Sequence, residues 1–214
     1  MPTEILPYPE VNAKQGDAKY LVVLLHGVGS DGHDLISLVP FLQNDLPNCH
    51  FISPHGIEEF DMAPFGRQWF SLLDRNPKTL QKLLSQNAPI IENIIQAKQQ
   101  ELQLDNSKTI VIGFSQGSMS GLYLALSNVN PFLCVVAFSG RLVEPKKLMS
   151  NATPTCIIHG EEDEIVTIDA MDSILDYLSE NNIEHDSLKI PNLTHSIDSQ
   201  GLKYAINFIN KQIK

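Results

Sequence analysis

Short runs of apolar, often β-branched residues recur along this chain, separated by longer stretches whose apolar residues return every three or four positions. That alternation constrains the fold more than any single motif does, because it marks βα units winding around a mostly parallel sheet. The pattern predicts strands at Tyr20 to Leu25, Cys49 to Ser53, Thr109 to Phe114, Phe132 to Phe138, Thr155 to His159 and Ser187 to Ile190. Most are near-continuous apolar runs, as strands covered on both faces must be. Helices are predicted near 34–46, 78–103, 116–127, 168–181 and 197–212, with Asp31 and Asp198 placed to serve first turns. The expected class is therefore α/β, with residues 1–214 forming one domain. One segment breaks the rhythm. Residues 54–76, which include Pro54, Gly56, Pro64 and Gly66 and run up to Pro77, are too many for an ordinary connection, and such loops often carry function.

Composition removes several function classes. A formal net charge of −10 with no Lys/Arg cluster argues against nucleic acid or an anionic lipid surface as partner, and points to neutral or cationic substrates. Cys49, Cys134 and Cys156 each lie inside an apolar run, with no CxxC spacing, so they are expected to be buried thiols rather than a disulfide framework or a zinc site. The first twenty residues show no basic segment followed by an apolar one, and no window approaches the roughly 18 apolar residues of a membrane span. A cytoplasmic protein without stable membrane insertion is expected.

Between the strand that ends at Phe114 and the helix expected from 116 lies GFSQG, residues 113–117. It matches GxSxG, in which a serine sits on a tight strand-to-helix turn and the glycines two residues to either side leave room for it. Such a serine needs a base and an orienting carboxylate, which this architecture supplies in the chain order Ser, Asp, His. CIIHGEEDEIV offers a strand, a turn at Gly160 and then Asp163, while LKIPNLTHSID offers the last strand and then His195. Of the acids Glu161, Glu162, Asp163 and Glu164, the HGxxD spacing selects Asp163; His159 and His185 read as structural or surface groups. Ser115, Asp163 and His195 are thus the candidate catalytic set.

The loop after the first strand, LLHGVGSDGHD, carries Gly27, Gly29 and Gly32 and admits two readings. As GxGxxG it would open a dinucleotide site, but the second strand, CHFIS, runs into Pro54 and His55 with no acid for a ribose. As an oxyanion loop it would offer the backbone N–H of Val28, together with that of Gln116, to a developing negative oxygen. His26, Asp31, His33 and Asp34 lack a recognised metal-ligand spacing, and no metal is expected.

Taken together, LLHGVGSDGHDL, GFSQG, HGEEDEIV and THSI resemble the carboxylesterase/phospholipase family of α/β-hydrolases, the group that includes acyl-protein thioesterases, over nearly the whole chain from about Pro7 onward. The resemblance implies an α/β-hydrolase fold with helices on both faces of the sheet and no separate cap domain. It implies hydrolysis of carboxylic esters of short to medium acyl chains through an acyl-enzyme, with an acyl-protein or lysophospholipid (thio)esterase as the alternative. It implies no cofactor, and a homodimer is an expectation because family members often self-associate. In the 54–76 segment, FDMAPFGRQWFSLLD resembles the family's substrate-side excursion, which makes Trp69 a candidate substrate-binding residue. Three positions depart from the family's pattern: Ser118 and Thr194 stand where glycine is usual, and Thr167 where proline is common.

Overall fold

The computed structural model describes residues 6–213. Its main sheet has seven strands in the order β1-β3-β2-β6-β7-β8-β9: β1 (Glu10–Val11), β2 (Tyr20–Leu25), β3 (Cys49–Ile52), β6 (Thr109–Phe114), β7 (Cys134–Phe138), β8 (Thr155–Gly160) and β9 (His185–Ile190). All neighbours are parallel except β1, which pairs antiparallel with β3 at the edge. Side chains alternate across the sheet. In β2, Leu21, Val23 and Leu25 enter one core layer while Tyr20, Val22 and Leu24 enter the other. The first layer is closed by α3 (Pro77–Leu102), α4 (Gln116–Ser127) and α5 (Asp169–Glu180). The second is closed by α1 (Gly32–Ile36), α2 (Val39–Leu42) and α6 (Ser199–Gln212). Helices on both faces explain why the inner strands β2, β6, β7 and β8 are apolar almost throughout, while the edge strand β9, HDSLKI, is not.

Sheet growth reverses between β2 and β6, since β3 lies on one side of β2 and every later strand on the other. In open α/β sheets the crevice at such a reversal, beyond the carboxyl ends of the strands, is where ligands bind. The loops that follow Leu25 and Phe114 meet there.

The expected elements recur with local differences. The helix expected over 34–46 is two short pieces, because Pro40 has no N–H to continue a ladder and Ser37 already ends α1. The fourth expected strand starts two residues late, at Cys134, after Pro131. His185, expected before a strand, instead opens β9 and pairs with Thr155. Asp31 and Asp198 do cap α1 and α6, accepting from the backbone N–H of His33 and Gly201. Within 54–76 the chain forms a small antiparallel hairpin, β4 (Glu58–Glu59) with β5 (Arg67–Gln68), that no sequence periodicity marked. All three cysteines are buried and free, and burial pushes the Cys49 thiol up to about 12. Among the described residues no helix is long and apolar enough to cross a membrane.

Candidate active site

Ser115 joins β6 to α4 with φ 53° and ψ −114°, a conformation that costs a non-glycine residue about 1–3 kcal/mol and persists only where its surroundings enforce it. Here they do. The Ser115 N–H donates to the Phe138 carbonyl at 2.9 Å, and the Ser115 carbonyl accepts from the Met119 N–H at 3.2 Å. The two flanking glycines face one another: a Cβ on Gly113 would lie 2.5 Å from the carbonyl of Gly117, and one on Gly117 would strike the Leu25 carbonyl of β2. Ser118 lies in a space that Gly140 leaves open and brings its hydroxyl within 2.7 Å of the carbonyls of Gly113 and Phe138. It fastens the turn to β7.

His195 comes from the loop between β9 and α6, and its Nε2 lies 2.9 Å from Ser115 Oγ while its Nδ1 lies 2.7 Å from Asp163 Oδ2. A carboxylate only accepts, so Nδ1 carries the proton and Nε2 presents its lone pair to the serine. The Phe114 ring, 4.9 Å away centroid to centroid, flanks the imidazole. Asp163 turns its other oxygen, Oδ1, to the backbone N–H groups of Ile165 and Val166, each at 2.9 Å. Burial alone would raise its pKa, but the hydrogen bonds from His195, Val166 and Ile165 outweigh that and hold the carboxyl below its ordinary range. The other acids of the turn, Glu161, Glu162 and Glu164, are exposed.

The acid turn and the histidine loop touch backbone to backbone. Glu161 and Glu162 donate their N–H groups to the carbonyls of Ile190 and Leu193 at 2.9 and 3.0 Å, and any side chain on Gly160 would strike the Leu193 carbonyl. One glycine thus lets two loops from neighbouring strands share a single wall.

On the other side of Ser115, Gly27 packs so closely that a Cβ there would sit 3.1 Å from the Phe114 ring and 3.4 Å from Ser115 Cβ. Among the described residues, neither the Val28 nor the Gln116 backbone N–H meets an acceptor. The 54–76 excursion holds both residues in place. The Gln116 amide spans from the Trp69 N–H (2.9 Å) to the Phe70 carbonyl (2.6 Å), the Trp69 indole N–H donates to the His26 carbonyl (2.8 Å), and Arg67 exchanges backbone bonds with Gly29 and Ser30. His26 completes the brace: its Nε2 accepts from the Gly56 N–H at 2.8 Å, which leaves Nδ1 to carry the proton toward the Gly27 carbonyl at 2.7 Å.

The expectation for Trp69 is therefore corrected. Its side chain has no exposed surface, so it underlies the loop and cannot line a groove, whereas Met62, Phe65 and Leu73 of the same excursion are exposed. The glycine loop does not open a dinucleotide cleft either: Gly27 is filled by Phe114 and Ser115, Gly32 abuts the Ser53 carbonyl, and the helix that follows has only five residues. Among the described residues no group of three or more His, Cys, Asp and Glu is arranged to hold a metal. The bracing roles of His26, Arg67 and the Gln116 side chain escaped sequence reasoning, since each depends on where a long loop returns; the RQWF run is their one local trace.

A model of the phospholipase/carboxylesterase family matches residues 6–213. The chain is 25% identical over 209 residues to the esterase YpfH of Escherichia coli (strain K12), covering 95% of this chain and 87% of that protein. It is 26% identical over 208 residues to the acyl-protein thioesterase 1 homolog 1 of Dictyostelium discoideum, covering 90% of each. Among solved structures, esterase PE8 superposes with a TM-score of 0.91 at 31% identity over 98% of this chain and 100% of that one. A carboxylesterase from Mesorhizobium loti, at 18% identity and a TM-score of 0.78 over 98% and 99% of the two chains, shares the fold.

Proposed function

The chain belongs to the phospholipase/carboxylesterase family and is a hydrolase of the esterase type, and from that premise we propose that it cleaves carboxylic esters of short to medium acyl chains by covalent catalysis at Ser115. The observation that carries this reading is the unbroken line of hydrogen bonds from Ser115 Oγ through His195 to Asp163, at 2.9 and 2.7 Å. As Oγ attacks the acyl carbonyl, His195 Nε2 takes its proton and Asp163 steadies the imidazolium. The N–H groups of Val28 and Gln116 receive the oxygen that becomes negative. The tetrahedral intermediate collapses as His195 returns the proton to the departing alcohol, leaving the acyl group on Ser115. Water, deprotonated by the same nitrogen, then releases the acid. No cofactor enters any step.

A thiol is an equally competent leaving group for this machinery, and the likeness to an acyl-protein thioesterase homolog makes thioesters the second reading. The three buried, free thiols fit a reducing compartment, and we assign the protein to the cytoplasm on that ground.

The test is chemical labelling. A fluorophosphonate should add once per chain, as read by intact mass, with the modified peptide containing Ser115; Ser115→Ala should take no label and lose roughly 10³-fold or more in kcat. A well-folded Ser115→Ala protein with near-full esterase activity would sink the assignment. Within a working reading, matched esters and thioesters of increasing acyl length separate the two substrate classes.

A further inference from the structure

His159, the residue before Gly160 in β8, has a side chain with no exposed surface and plays no part in the mechanism above. Its Nε2 lies 2.7 Å from the carbonyl oxygen of Val166 and 3.4 Å from Asp163 Oδ2. Both neighbours are acceptors, so Nε2 must carry the proton. Nδ1 is then a bare acceptor, and it is the one buried side-chain nitrogen or oxygen among the described residues with no partner. An imidazole here therefore uses one nitrogen and wastes the other, a cost that a leucine in the same space would not incur.

The used nitrogen points at the catalytic acid from two directions. Val166 receives the His159 N–H on its carbonyl and gives its own N–H to Asp163 Oδ1 at 2.9 Å, so one residue, through the two peptides on either side of its Cα, links the imidazole to the carboxylate. The same Nε2 lies 3.4 Å from Oδ2, the oxygen that holds His195. Without it, the turn 163–166 keeps its internal bonds to Asp163 and the longer Asp163 N–H bond to the Gly160 carbonyl at 3.3 Å, but its far end at Val166 loses its side-chain tie to β8, which lets the carboxylate tilt away from His195.

We propose that His159 is a positioning residue, whose Nε2–H fixes the acid turn through the Val166 carbonyl and thereby sets the Asp163 carboxylate against His195. The inference rests on the serine-hydrolase reading. The role requires a donor at the distance of Nε2 from the backbone. Glutamine can place an amide N–H there, asparagine reaches only the Nδ1 position, and leucine has no donor.

The experiment compares His159→Gln, His159→Asn and His159→Leu in the full chain, with a p-nitrophenyl butyrate assay for kcat and KM and thermal unfolding for Tm. Expected is a kcat loss of about 10- to 100-fold in the Asn and Leu variants with KM within about twofold. His159→Gln should recover to within about fivefold of the parent, and His159→Leu should keep a Tm close to it because the wasted nitrogen is gone. Equal activity in the Gln and Asn variants, a kcat loss that tracks a Tm loss across the set, or failure of all three to fold would overturn the proposal. Ser115→Ala, run alongside, separates the two levels: an active Ser115→Ala protein removes the underlying reading, whereas an inactive one with indifferent His159 variants removes only the positioning role.

Discussion

The indole N–H of Trp69 donates to the carbonyl oxygen of His26 at 2.8 Å, which joins the middle of the 54–76 excursion to the root of the Val28 loop. Both residues are buried, so the carbonyl has no water to turn to when the donor is removed. Trp69→Phe should destabilise the protein by roughly 1–3 kcal/mol, the cost of an orphaned buried acceptor together with a small void. Because the loop it holds carries the Val28 N–H, kcat should also fall by roughly 10-fold, with KM changing less. Urea unfolding and steady-state kinetics on the same preparation read both effects.

His26 makes stability depend on pH in a definite direction. Burial, the largest influence, holds its pKa below the ordinary 6.5, and its Nε2 accepts a backbone N–H only while neutral. Above 6.5 the folded and unfolded chains both carry the neutral ring, and stability is at its full value. As pH drops below that point the unfolded chain binds a proton that the folded chain resists, so stability is lost until the folded pKa is reached. The urea midpoint should therefore decline on acidification below about pH 6.5, and His26→Gln should make that decline shallower. His55, whose pKa is also lowered chiefly by burial, leaves a residual slope. Asp163 acts in the same sense further down, since a carboxyl held below 3.8 stabilises the fold above that pH and ceases to as pH falls through its folded value.

The two glycines inside the serine turn and helix α4 should tolerate substitution very differently. Gly117→Ala drives a methyl into the Leu25 carbonyl and should cost more than ~4 kcal/mol or prevent folding. Gly121→Ala, one turn on, brings its methyl 3.3 Å from Val111 Cγ1, and the gain in helix propensity should keep the net change within about 1 kcal/mol. Expression level and the urea midpoint distinguish the pair.

Ser118→Ala removes a hydroxyl that touches the Gly113 and Phe138 carbonyls without touching any reacting atom. A loss of about 1 kcal/mol in stability is expected, with kcat within about threefold of the parent because Ser115 keeps its own bond to Phe138. A kcat loss of 100-fold in a fully folded Ser118→Ala protein would show that the hydroxyl takes part in more than holding the turn.

How much of this could be read before the structure follows from where each feature gets its cause. Ser115, Asp163 and His195 each follow a strand, and a parallel sheet delivers strand ends to one edge, so their order along the chain was enough to bring them together on paper. The same holds for the strands themselves, whose apolar runs reflect two covered faces. Trp69 is the opposite case. Its aromatic character is the same in a groove wall and in a buried brace, and only the return path of the 54–76 loop tells which. The short edge strand β1 and the β4/β5 hairpin, two residues per strand, carry no periodicity at all. Pro40 was visible and its effect on the helix expected over 34–46 was predictable from the missing N–H.

The hydrogen bond between His195 and Ser115 joins residues 80 positions apart. The two residues therefore cannot meet until β9 has taken its place beside β8 and α6 has closed over the sheet. On the proposed reading, the return of esterase activity during refolding times the docking of the β9–α6 unit rather than the collapse of the core.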